Sequence, residues 1–407
     1  MNSVARKWMG WAFFNLVLVA LAGLLLRTKI LFPLPWLHHK NLLHAHSHFA
    51  FAGWISLFLM SALVSLLPAE RAGRYNRILT AYCITAYGML FSFPFQGYGP
   101  VSIFFSTVSV LASWWFGYEL WREKSLAASG KLVGRMSRWS VFYLILSSLG
   151  TFFLAWLMAN HINKAELYFG SIYFYLHFQY NGWFLFAILT LLLARLKPSA
   201  QEGLGSSLQA LAWICLPAYF LSALWMRLPL WMFVLAVIAA LLQPLVVINL
   251  FRKGYRELVD SLRSPAQRQL WGLSIIAFLI KIVLQSLSVI PGLSSYAFAY
   301  RPVVIGYLHL VLLGFVTLFL FGWMLEKGIL RAVNGHLSAW CRLFIVGILL
   351  TEFTLMAQGI SAMFYVAIPL TNELLFGAAI CLFGGILGMN LESRYLTQVI
   401  RPMRMQG

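Results

Sequence analysis

Acidic side chains are scarce in this chain: 11 Asp and Glu stand against 30 Lys and Arg, and charged residues make up only 10% of it. With 61% hydrophobic residues over 407 positions, that shortage excludes a soluble globular domain, which could not hide so much apolar surface from water. Cysteine is as rare. Cys83, Cys215, Cys341 and Cys381 stand singly, in no CxxC or CxxH spacing, so neither a disulfide framework nor covalent haem attachment is indicated. They read as small packing residues. The apolar segments do not alternate at period two, which sets aside a β-barrel. No long polar stretch interrupts them, so no soluble domain is expected either.

What is present is a series of apolar runs long enough to cross a bilayer, which takes about 20 helical residues. Twelve are expected, near 8–26, 43–67, 78–97, 100–121, 138–160, 169–195, 207–226, 229–250, 270–291, 302–325, 339–360 and 368–390. The fold expected is therefore all-α and membrane-integral, a single transmembrane domain of twelve helices in contact with lipid. The first run is long, lacks a small-residue cleavage site, and reads as a retained span rather than a signal peptide. The segments Pro94 to Pro100 and Pro291 to Tyr300 read as outer loops with turn chemistry.

The net charge of +19 suggests a nucleic-acid partner until the charges are placed. With twelve spans, 23 of the 30 Lys and Arg residues fall on one side and six on the other, with Lys281 inside a span. That asymmetry is the positive-inside pattern. It implies no nucleic acid, both termini in the cytoplasm, and a bacterial inner membrane as the expected setting.

A histidine pattern repeats along the chain. His48 is followed five residues on by Gly53 and then Trp54; His177 by Gly182 and Trp183; His309 by Gly314 and Phe315. The separations are 129 and 132 residues, which points to three diverged copies of one four-helix unit, roughly 1–130, 131–265 and 266–407, related by a pseudo-threefold arrangement. The three histidines fall on spans two, six and ten, at similar depth toward the outer face.

An imidazole without a partner is costly inside a membrane, so three at equivalent positions suggest one shared site. Two neutral histidines from different helices can ligate a six-coordinate, low-spin haem, and His48 and His309 are the pair expected to do so. The glycine five residues on would leave room for a flat ring or for close helix packing. His44, His46 and His48, with His38 and His39 just upstream, put five of the nine histidines at the outer end of span two. That cluster is a candidate copper or other metal site, or a solvated histidine patch. His177 stands alone, with Tyr173, Tyr175, Gln179, Tyr180 and Asn181 near it; it reads as a single metal ligand or as a hydrogen-bonded core residue. Arg301, at the mouth of span ten, could pair with an acidic group such as a haem propionate or anchor the interface. Lys281 and Glu352 lie mid-span and read as a structural pair or as part of a proton path.

Twelve spans in three units, with histidines on spans two, six and ten, resemble the catalytic subunit of haem-copper oxidases and nitric-oxide reductases. The resemblance covers the whole chain in topology and three short stretches in motif. It implies that His309 matches the second histidine of the family's His-x-His on helix ten. His48 matches its low-spin partner on helix two, with His46 and His44 as rivals. His177 matches the helix-six ligand to copper or non-haem iron, and Asn181-Gly182 resembles the Glu-Gly of nitric-oxide reductases. The chain departs from the family at Tyr307, which stands where the first histidine of His-x-His belongs. Asn181 occupies the place of the oxidases' helix-six tyrosine. Span seven carries no histidine, its nearest candidates being Cys215 and Tyr219.

The resemblance thus implies a b-type haem site without a complete binuclear centre, and an electron-transfer role or one related to nitric oxide or oxygen. A quinol or cytochrome would be the electron partner, with an accessory subunit or a second copy of the chain as further partners. Two alternatives stay open: an oxidoreductase rebuilt around a second haem or metal at His177 or Tyr307, and a haem-free metal or solute transporter. Against the latter, transporters usually show twofold repeats.

Overall fold

The structure is a computed structural model that describes residues 1–262 and 264–393. The basic residues Arg394, Arg401 and Arg404, and Arg263, lie outside the described residues. Eleven continuous helices are long and apolar enough to span a membrane. The twelfth is a bent pair, Gly205–Cys215 and Pro217–Ala223, with a 44° break. The spans are Ser3–Leu31, His39–Val64, Ala69–Gln96, Pro100–Trp121, Lys131–Ala159 and Ala165–Leu193, then the bent seventh, then Leu230–Asp260, Pro265–Leu287, Arg301–Glu326, Ala339–Met363 and Thr371–Glu392. Each contains or overlaps one expected run, so the all-α membrane fold read from the sequence is the observed one.

Local chemistry explains the breaks. Pro217 has no N–H and opens the second half of span seven, which continues as a 3-10 helix. Span three ends at Gly97, whose φ of 57° only glycine adopts readily; a Cβ there would also lie 2.8 Å from Asn41 Oδ1. Residues 291–299 differ from expectation: they form a helix, Pro291–Ala299, rather than an irregular loop, because Pro291 supplies the φ of a first helical turn. Among the described residues the only strands are Ala332–Val333 and His336–Leu337, joined by Asn334-Gly335 with φ of 50° and 79°, the φ > 0 pair of a tight two-residue hairpin.

Contacts divide the described chain into two compact units whose boundaries do not follow the sequence repeats. Ser113–Leu262 and Ile275–Val304 make one; the other holds spans one to three and eleven and twelve, with most of span ten and parts of four and nine. Span two is the centre of the latter and span six of the former: both are 83% buried, against 28% for span eight. Around span two the core is aromatic. Trp54 meets Phe58 and Phe321, and Phe321 meets Phe13 and Phe344, with ring centroids 5.2–6.3 Å apart. Around span six, Tyr143 stacks on Phe178 at 5.6 Å and on Phe186 at 5.4 Å.

Candidate functional site

Each marked histidine is followed by the same rare conformation. The α-helix gives way to a π-helical turn at Ala50–Ser56 after His48, at Phe178–Phe184 after His177, and at Leu310–Thr317 after His309. Such turns are uncommon, and they cluster at functional sites because the wider winding misaligns carbonyls and re-aims side chains. Each contains the glycine five residues past the histidine, so the sequence repeat has a conformational counterpart.

The span preceding each turn in the chain packs a polar side chain against it. Asn15 Nδ2 donates to Gly53 O at 2.7 Å, and Asn15 Oδ1 accepts from Tyr87 at 2.6 Å. Ser274 donates to Phe315 O at 2.7 Å. In the middle copy Tyr143 packs where Gly182 has no Cβ, and its hydroxyl donates to Ala212 O. These three residues lie 33, 34 and 35 positions before His48, His177 and His309. The first and third turns are tied directly, Trp54 Nε1 donating to Thr317 Oγ1 at 3.1 Å.

The three histidines of span two point to different neighbours. His48 stacks on Phe93 with centroids 4.6 Å apart, and its Nε2 is 3.0 Å from the Tyr98 hydroxyl. The left-handed Gly97 is what turns Tyr98 back over span two. His44 lies against the same tyrosine at 4.7 Å, and its Nε2 is buried with no hydrogen bond. His46 faces the other way. Its Nδ1 is 3.0 Å from Val19 O on span one, next to Gly23, where a Cβ would come within 3.2 Å of the imidazole. His48 thus turns toward Phe93 and Tyr98, and His46 toward span one.

Carbonyls only accept, so these contacts fix the tautomers. His46 donates from Nδ1 to Val19 O, and His309 donates from Nδ1 to Ile305 O at 2.9 Å. Both then hold a lone pair on Nε2, and neither Nε2 makes a hydrogen bond among the described residues. Metal-ligating histidines are usually fixed in this way, with the second ring nitrogen donating to a carbonyl. Along span ten, Arg301–His309 contains no fully buried residue, whereas Leu318–Met324 is buried throughout.

His177 is the opposite case. It is fully buried, and its Nε2 donates to Cys215 O at 2.9 Å. That carbonyl is available because the 3-10 turn after Pro217 passes the Tyr219 N–H to Leu216 O instead. Its Nδ1 faces Asn181 Nδ2 at 3.1 Å and Ser222 Oγ at 3.4 Å. As placed, His177 has no lone pair to offer a metal. The residues around it do not fit the copper or non-haem iron expected there, and no group of three His, Cys, Asp or Glu suited to a metal occurs among the described residues.

Arg301 is exposed at the start of span ten; Arg27 is half-buried on span one, two turns past Val19, whose carbonyl His46 bonds. Sequence reasoning missed Arg27 because it reads as one more interfacial charge; its position one turn beyond Gly23, on a helix facing span two, was the available signal. Tyr307, the residue in place of the family's histidine, is half-buried on span ten. Lys281 is buried, and Glu352 keeps a buried Oε1 without a hydrogen bond. No protein-family model and no curated protein matches this chain.

Proposed function

We propose that this chain is a haem-binding membrane protein of the haem-copper oxidase and nitric-oxide reductase type, keeping a bis-histidine site without a binuclear centre. The observation that carries the reading is that His46 on span two and His309 on span ten have matching tautomers and unengaged Nε2 atoms. These two would be the axial ligands, and His48, held by Tyr98, a neighbour of the site. Arg27 on span one would meet an acidic group of a b-type haem. When bound, the haem would supply one-electron chemistry connected with electron transfer or with a diatomic gas, nitric oxide or oxygen. The protein's own part is to fix both rings through Val19 O and Ile305 O and to keep water away with apolar spans. The positive-inside charge distribution supports a bacterial inner-membrane location with both termini cytoplasmic.

Oxidised and reduced spectra of the purified chain test this. A sharp reduced α band with one haem per chain is expected, lost in His46→Ala and in His309→Ala and kept in His48→Ala and His177→Ala. Absence of any Soret band, with copper or another metal bound instead, would favour a metal transporter. A normal low-spin spectrum in His309→Ala would refute the ligand pair.

A further inference from the structure

Span two carries a second histidine face that the haem reading leaves unused. His44 and His48 stand four residues apart, about one helical turn, so they share a side of the helix while His46 lies on the other. Tyr98 is folded back over that side. Its ring centroid lies 4.7 Å from that of His44 and 5.1 Å from that of Phe93, on which His48 stacks. The loop that presents Tyr98 is held on both sides of it. Ser102 donates to the carbonyl of the left-handed Gly97, and a Cβ on Gly99 would fall 2.3 Å from Gln96 Oε1.

Two observations mark a ligand site rather than a packing contact. His44 Nε2 is buried without a hydrogen bond, and such atoms in native structures commonly meet a water or an ion. His48 Nε2 and the Tyr98 hydroxyl stand 3.0 Å apart. Two ligand atoms on one zinc ion, at ordinary bond lengths and angles of roughly 90–110°, are about 2.9–3.4 Å apart. The pair thus already has the spacing of two ligands of one ion, with a shared proton in the ion's place. Histidines one turn apart on a helix are a common half of a zinc site. Two imidazoles and an oxygen, with no sulfur, suit a divalent ion of that class.

We propose that His44, His48 and Tyr98 bind a divalent transition-metal ion of zinc's class, with water as the fourth ligand. Binding exchanges a proton for the ion: the Tyr98 O–H ionises, its proton leaves to solvent, and the phenolate oxygen joins the two Nε2 atoms as a ligand. Water reaches the site from the start of span two, where His38 and Lys40 are exposed and His44 is half-buried. Lys40, one turn before His44, is exposed, so its charge is screened. The bound ion would tie the loop joining spans three and four to span two. The site uses neither His46 nor His309 and does not depend on the haem reading.

The test is equilibrium dialysis of the full chain, in mild detergent and stripped with EDTA, against micromolar zinc sulfate, followed by elemental analysis. One retained zinc ion per chain is expected, and the ultraviolet absorption of one tyrosinate should appear as it binds. Tyr98→Phe keeps a ring against His44 and Phe93 but lacks the oxygen. It should abolish the tyrosinate signal and weaken zinc at least about tenfold, the lower end of what losing a group that merely orients a ligand costs. His44→Ala should weaken zinc at least as much. His46→Ala, His38→Ala and His39→Ala should leave both readings unchanged. Four results would overturn the inference: no zinc retained, zinc bound without a tyrosinate signal, undiminished affinity in Tyr98→Phe or His44→Ala, or loss of zinc in His38→Ala or His39→Ala. The last would place the ion on the histidines at the helix start, and the others would leave Tyr98 and His48 a hydrogen-bonded pair.

Discussion

Replacing Gly182 by alanine puts one methyl group into the closest helix contact of the His177 segment. The new Cβ would lie 2.5 Å from Tyr143 Cγ, where carbon atoms prefer about 3.5–4.0 Å, so something must move by roughly 1 Å. Tyr143 cannot easily be the part that moves. It is fully buried, stacked on Phe178 and Phe186, and its hydroxyl is held by Ala212 O. Overpacking of this kind costs about 1–3 kcal/mol, and a strained or lost tyrosine hydrogen bond adds about 0.5–1.5 kcal/mol. Alanine recovers up to about 1 kcal/mol in helix propensity. The net expectation is a loss of about 1–3 kcal/mol on these figures. Gly272 on span nine is the control, because a Cβ there meets nothing within 4 Å and Gly272→Ala should be neutral or stabilising. Tryptophan fluorescence during unfolding by graded SDS in mixed micelles would compare the two. If Gly182→Ala unfolds at the same SDS fraction as Gly272→Ala, the tight junction between Tyr143 and the π-helical turn is wrong.

Asn15→Leu should cost about 2–4 kcal/mol, because Gly53 O and the Tyr87 hydroxyl both lose a partner, one of them fully buried with Asn15 itself; the same SDS titration reads it, and a loss below about 0.5 kcal/mol would show that the turn does not depend on this side chain. Alkaline phosphatase fused to the C-terminus should be inactive in a bacterial host while a fluorescent-protein fusion is bright, as cytoplasmic termini require. The reverse pattern would invert the orientation.

The fold was legible because its physics is one-dimensional. A helix must satisfy its own backbone in lipid, so apolar run length alone locates each span, and even the bent seventh, which begins at Gly205, overlaps its expected run of 207–226. The histidine pattern was legible too, since His48, His177 and His309 each carry their glycine at the same offset. Its local conformation was not. A π-helical turn has no residue signature beyond that glycine, and the side chains packed against it come from 33 to 35 residues upstream as three different types, Asn15, Tyr143 and Ser274. Three unlike residues filling one role leave no pattern for a sequence comparison within the chain to find.

Which histidine keeps a ring nitrogen unengaged was also out of reach, for a physical reason. On a helix, residues two apart point about 200° from each other, so His46 and His48 face nearly opposite directions. Matching the repeat marks His48, because His48 carries the glycine offset. The lone-pair count marks His46. The phenol of Tyr98 occupies His48 Nε2, a contact made by the left-handed Gly97 at the end of span three, while Val19 O takes the Nδ1 proton of His46 and leaves its Nε2 unengaged. The same count separates His309 from His177, whose nitrogens are all taken by spans six and seven. Position in the pattern follows from the chain alone, whereas an available lone pair depends on what each neighbour donates or accepts. For the three equivalent histidines of this chain, that neighbour is a tyrosine in one case, a bent helix in another and only the residue's own helix in the third.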